Sequence, residues 1–210
     1  MEKKFELTDK FVFNTFGIKL FQIKCTKSFK YAKEGDLGGY VEKDENLDQE
    51  SNAWVYGNAW VYGNAQVSGN AWVYGNAWVY GDARVSGDAR VSGNAWVYGN
   101  AWVYGNAWVY GDARVSGDAR VSGNAWVYGN ADIENDNNHC GFDCFGSCNR
   151  HTHAYLTKDN KVEITCGCFR GSIEEFEKKV EKTHSGKIYE KQYKAIINAI
   201  KIKFGLTDLI

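Results

Sequence analysis

Between Val55 and Ile133 an aliphatic residue recurs every six positions, fourteen times in all. Ala stands two residues before each of them, and Gly stands two residues after each until the last. The position between Ala and the aliphatic residue is Trp, Arg, Gln or Asp, and the one after it is Tyr, Ser or Glu. Alternate residues of a strand point to opposite faces, so Ala and Val share one face and the variable residues share the other. Burying Arg84, Arg90, Arg114 and Arg120 without partners would cost several kcal/mol each. Ala and Val therefore face inward, and the Gly-Asn and Gly-Asp pairs between repeats form corners, where positive φ is tolerated. A fixed short period marks a solenoid. An interior of Ala and Val alone is narrow, which suits a three-sided prism with three short strands and eighteen residues per coil. Val41 and Leu47 extend the pattern as an imperfect first coil.

With eighteen residues per coil, every third repeat lies on the same face. One face carries Trp54, Trp72, Arg90, Trp108 and Trp126. The second carries Trp60, Trp78, Trp96, Arg114 and Asp132, and the third Gln66, Arg84, Trp102 and Arg120. Vertical neighbours are about 4.8 Å apart, so rings can stack and Arg can lie on Trp. Sixteen outward aromatic residues exceed the apolar patch of an ordinary soluble monomer. They either cover the sheets and one another, or meet a second subunit, a partner or a sugar. Candidate binding residues on these faces are Trp60, Trp78, Trp96, Trp102, Arg84 and Arg120. The segment Trp72–Tyr98 is nearly repeated at Trp102–Tyr128. That thirty-residue offset is not a multiple of eighteen, so the duplication moves each cassette to another face.

A solenoid needs caps, or its end strands pair with other chains. Residues 1–40 read as an N-terminal β cap, with short strands at Phe5-Glu-Leu, Phe11-Val-Phe and Ile18–Ile23. The repeat spans 41–135. Residues 136–210 read as a small ββαα unit. It comprises a hairpin over 154–171 and a helix of about a dozen residues opened by a Ser172/Glu175 capping box. A second helix over 187–203 turns Tyr189, Tyr193, Ile196, Ile197 and Ile200 inward. The expected class is mainly β, a parallel β-helix with these two ends.

The net charge of −1 gives no bulk attraction to nucleic acid or acidic lipid. Asp accompanies Arg in the same cassette, so charge cancels locally and nucleic acid is not expected as a partner. The opening residues, Met1-Glu-Lys-Lys-Phe-Glu-Leu, form no apolar leader, and no stretch is long enough to span a membrane. The expected location is cytoplasmic, with the six Cys reduced or metal-bound.

The densest chemistry follows the repeat. Cys140, Cys144, Cys166 and Cys168 would suit a structural zinc ion, with Cys148, His139, His151 and His153 as alternates. Reduced thiols in a small domain and a redox thiol are the other readings. No cofactor is required by any motif. Asn149, Arg150 and Arg170, with His151 and His153, could line a small-ligand pocket at the solenoid end. Cys25 reads as core.

The repeat resembles the left-handed β-helix hexapeptide family, whose motif is an aliphatic residue with a small residue two positions earlier. The resemblance implies the left hand. Acyltransferases of that fold use a general-base His between coils, and the repeats contain no His. Over nearly the full chain, Gly35-Asp-Leu-Gly-Gly-Tyr-Val-Glu, the repeat and Cys166-Gly-Cys-Phe-Arg-Gly resemble hexapeptide-repeat proteins of phages and prophages. That resemblance implies a phage-related origin in a bacterial cell and no chemistry. The expectation is a non-enzymatic binding or scaffold protein that forms a homo-oligomer or holds a protein partner. The alternatives are a counter-defence protein that sequesters a host effector or nucleotide signal, and an enzyme using the His/Cys cluster.

Overall fold

The computed structural model describes residues 2–206. The chain opens on β1 (Phe5–Phe13), β2 (Lys19–Cys25) and β3 (Leu37–Val41), paired antiparallel in order. The two segments expected at Phe5 and Phe11 belong to one strand, joined across a register shift between Leu7 and Phe11. Fourteen two-residue strands follow, from Trp54–Val55 to Asp132–Ile133. Each stacks in parallel on strands eighteen residues away, as Val61 does on Val79 and Val97 on Val115. Three sheets result, and the one containing Val61 continues into β3, β2 and β1.

Every repeat Ala and Val is buried, and they form one continuous core along the rod. Val41 pairs with Val61 and Leu47 bridges Val67. These partners are twenty residues apart because the loop from Leu47 to Val55 is two residues longer than a repeat. Gly39 lies so close to the next coil that a Cβ would sit 2.7 Å from the Ala59 carbonyl oxygen. At the corners Gly87, with φ +67°, is doubly constrained, since a Cβ there would also meet the Gly105 nitrogen at 2.9 Å.

The residues after the corner glycines form side-chain ladders. Asn58 donates to Asn76, Asn76 to Asn94 and Asn94 to Asp112. A carboxylate accepts but cannot donate, so each Asp ends a ladder. No corner Asp stands directly over another, and no Arg over another Arg. The thirty-residue duplication offset disperses like charges that an eighteen-residue offset would have stacked at one strand spacing.

Side chains satisfy the open edges of the end coils. The buried Lys4 ammonium donates to the carbonyls of Asp48, Ser51 and Ala53. Burial pushes its pKa down to about 8, against the pull of Asp48. The fully buried Asn46 amide donates to Gly63 and Ala65. At the other end Thr165 donates to the Trp126 carbonyl, Tyr155 to the Tyr128 carbonyl, and Asp136 accepts from the Arg120 amide. Neither end offers a free strand template at these positions.

The C-terminal region holds an antiparallel sheet of β4 (His139–Phe145), β5 (Arg150–Leu156), β6 (Val162–Cys166) and β7 (Phe169–Ser172). Two strands more than the expected hairpin are present: the polar run 139–153 carries strand alternation that its lack of apolar residues hides, and the turn at Gly167 divides the expected second hairpin strand into β6 and β7. Helices α1 (Ile173–His184) and α2 (Ile188–Lys203) follow. The Ser172/Glu175 capping box opens α1 as expected. Both helices pack on one sheet face, where Ala154, Ile164 and Cys166 meet Phe176, Val180, Tyr193 and Ile200. Tyr189 is half-buried, whereas the other inward residues expected on α2 are buried. Among the described residues no helix is long and apolar enough to cross a membrane.

Candidate functional site

Strand alternation sends the outer residues into vertical columns. Trp60, Trp78 and Trp96 stack nearly parallel, with centroids 4.8 and 5.1 Å apart. Beside them Tyr62, Tyr80 and Tyr98 stack at 5.0 Å. Arg114 closes the Trp column over Trp96 at 5.0 Å. On another face Trp102 lies between Arg84 and Arg120, at 5.1 and 5.9 Å. Each guanidinium thus finds a ring face, which contributes about 0.5–1 kcal/mol at an exposed site.

Part of this aromatic surface is covered by the chain itself. Trp54 is 1% exposed beneath Phe5 and Phe29, and Trp72 packs on Tyr31. The hairpin of β1 and β2 brings Val12, Ile18 and Leu20 against Tyr62. Burial there pushes the Tyr62 phenol up to about 12. Further along the rod the cover ends: Trp102 is 41% exposed and Trp126 is 38% exposed, with Tyr104 also open, and Tyr56 is open already in the first repeat.

The sheet face turned to the last coil is polar. Along β5 the alternation places His151, His153 and Tyr155 together, and β4 adds His139. Gly141, paired with His153, leaves room that the His151 ring fills. His139 Nδ1 and His153 Nε2 share a hydrogen bond of 2.9 Å. His151 Nδ1 meets Asp143 Oδ1 at 2.7 Å. The buried Nε2 atoms of His139 and His151 make no hydrogen bond, though Asp136 Oδ1 lies 3.7 Å from that of His139. Burial drives the His153 pKa down to about 3, helped by the neighbouring His139 and His151. Burial also lowers His139, against the opposing pull of Asp136.

These depressed values set a pH dependence. The unfolded chain binds protons on these imidazoles below about pH 6.5, the ordinary value, while the folded chain resists them. Stability is therefore retained above pH 6.5 and falls as pH drops from 6.5 toward 3, by about 1 kcal/mol per pH unit for each fully affected His. Urea midpoints measured between pH 7.5 and 5 should decline, and His153→Gln should flatten the decline. Equal slopes in both proteins would contradict this.

On the helix side of the sheet lies a cleft of about 520 Å³, bounded by the 147–150 turn, the β6–β7 turn, α1 and Tyr193 of α2. Arg150, Arg170, Lys179 and His184 line it with Cys148, Cys166 and Cys168. Arg170 is paired with Glu163 and lies over the Tyr128 ring at 4.2 Å. Burial raises the Tyr193 phenol to about 12, with Cys166 adding to the shift. Of the residues expected to share a small-ligand pocket, Arg150 and Arg170 border this cleft, the latter with its guanidinium engaged by Glu163 and Tyr128. His151 faces a smaller neighbouring hollow beside Trp126, His153 is buried beneath the sheet, and Asn149 is exposed in a turn at φ 47°.

The thiols expected to hold zinc do not converge. Gly167, at φ 58°, breaks the strand between Cys166 and Cys168, so the first is buried and the second exposed. Cys140 packs toward the helices, and Cys144 is exposed at φ 63°. Among the described residues no group of three or more His, Cys, Asp or Glu is placed to hold a metal ion, the alternates Cys148, His139, His151 and His153 included. Cys25 is buried in the main core.

Tyr155, Thr165, Asp136 and Asp143 were not singled out in the sequence, and Tyr193 was read there only as a core residue of the second helix. The alternation His151-Thr-His-Ala-Tyr155 was the available signal for the first of them. No curated protein matches the chain. A family model described as the YdcK beta solenoid repeat matches residues 65–81, 83–99, 95–111 and 113–129, so the repeat is similar to that solenoid over the stretch that carries the exposed Trp102.

Proposed function

We propose that this chain is a non-enzymatic binding and scaffold protein, a rigid β-solenoid whose outward aromatic columns dock a protein surface. The observation that carries the reading is the exposure of Trp102 and Tyr104 on one face, and of Trp126 on another, of a rod whose end-coil edge groups are met by its own side chains. With those edges satisfied, contact through the faces is favoured over strand addition at the ends. The match to a solenoid repeat model supports the architecture on which this rests. A bacterial cytoplasmic setting and a phage or prophage origin belong to the proposal through the sequence resemblance alone.

The simplest partner is a second copy of the chain. Sedimentation velocity across micromolar concentrations should show self-association, and the pair Trp102→Ser with Tyr104→Ser should weaken it about tenfold or more. A chain that stays monomeric over the whole range contradicts docking of a second copy. So does association that the double variant leaves unchanged.

A further inference from the structure

We infer that the cleft between the C-terminal sheet and α1 binds a small anion bearing a flat aromatic ring, of the nucleoside monophosphate class. This goes beyond the scaffold reading and does not depend on it. The chain as a whole is slightly acidic, yet this cleft is lined by Arg150, Lys179, Arg170 and His184 and by no carboxylate. Arg170 is already neutralised by Glu163. Among the described residues Arg150 and Lys179 form no ion pair, which leaves two cations without counter-charge. Two free cations match a phosphate dianion, and the Arg fork suits its oxygens.

The wall opposite is aromatic. Phe169 and Phe176 lie 5.0 Å apart, Phe176 meets Tyr193 edge-on at 5.6 Å, and His184 stacks on Tyr193 at 5.5 Å. Phe176 and Tyr193 are buried in this wall, so the half-buried rings of Phe169 and His184 are the faces on which a base can stack. The volume of about 520 Å³ falls within the usual range for sites of small ligands. Gly167 lets the chain turn where Arg150 crosses it, since a Cβ there would meet the guanidinium at 2.4 Å. Arg150 thereby packs over Gly167 and borders both this cleft and the smaller hollow beside Trp126.

The cysteines provide a site-specific readout. Cys148 and Cys168 are exposed and line the cleft, whereas Cys144 is exposed outside it. The intact chain is treated with a small alkylating reagent at low ionic strength, and modification at each thiol is followed by mass spectrometry. Adenosine monophosphate should slow labelling of Cys148 and Cys168 roughly fivefold or more near saturation, with Cys144 unchanged. Adenosine alone and inorganic phosphate alone, at the same concentration, should protect far less. Lys179→Gln, at an exposed helix position, and Arg150→Gln should each weaken nucleotide binding about tenfold. A melting curve of each variant verifies that it folds. Three results would overturn the assignment: no protection at ~5 mM nucleotide, equal protection at Cys144, or unchanged affinity in both folded variants.

Discussion

Val67→Asp is expected to unfold the solenoid, while Gln66→Asp, one residue earlier, leaves it folded. Val67 is buried in the core and Gln66 is exposed on the outer face of the same two-residue strand. The interior consists of Ala and Val side chains with nothing to pair a carboxylate. Placing an unpaired charge there costs about 4 kcal/mol or more, a large part of a typical domain's total stability. At position 66 the new carboxylate stands beneath Arg84 in open solvent, and the change should stay within about 1 kcal/mol. Far-UV circular dichroism with urea titration reads both. Similar losses at the two positions would mean that the strand does not separate inside from outside as described.

The second large effect is expected at the N-terminal end. Trp54→Ala should destabilise the chain by about 3–5 kcal/mol, the usual cost of emptying a buried aromatic site. Trp54 is enclosed by Phe5 and Phe29, with ring centroids at 6.4 and 5.4 Å. Trp126→Ala removes the same side chain from a comparable place in the repeat, on the same face, but from a site open to solvent. Its cost should be well below half that of Trp54→Ala, because far less apolar area leaves water when the protein folds. Urea midpoints with an unchanged m-value would establish the difference. Equal costs would show that the cap does not seal the first coil. Because neighbouring coils support one another, loss of this cap should also loosen the adjacent turns first in hydrogen exchange.

The contrast between these tryptophans also shows how far the sequence could be read. The Ala/Val period fixes which side faces inward at every repeat, since the alternative buries four guanidinium groups. The eighteen-residue coil follows from how thin such a core must be. What the period cannot show is which outer residues the ends of the chain cover. Trp54 and Trp126 both stand in Asn-Ala-Trp-Val-Tyr, and the folded position of Phe5 and Phe29 is what encloses only the first. The corner ladders were legible in principle, because an Asp can end but not continue an amide column.

The C-terminal region was less legible for a different reason. Its first strands carry His, Cys, Asp and Thr where an apolar alternation would normally mark a strand. The polar alternation at His151, His153 and Tyr155 arises because that face must supply donors to the carbonyls of the last coil. A search for apolar periodicity passes over it. The cysteines suggested a metal set by their number, but the left-handed turn at Gly167 sends Cys166 and Cys168 apart. Arg150 and Arg170 border the cleft; Tyr193 and His184, which complete it from the helices, lie too far along the chain to be linked to it by spacing.

The arrangement of every outer column depends on coils of eighteen residues, and cross-linking measures that length directly. With Gln66→Cys and Arg84→Cys introduced together, the two thiols sit on paired neighbouring strands of one face. Such a spacing lies within the Cα separation of about 4.4–6.8 Å that a disulfide accepts. Mild oxidation followed by peptide mapping should therefore give a high yield of the 66–84 bridge, whereas a second variant with Gln66→Cys and Arg90→Cys should give almost no 66–90 bridge, because those positions lie on different faces. A dominant 66–90 bridge, or equal yields of both, would contradict the three-sided coil and the aromatic columns built on it.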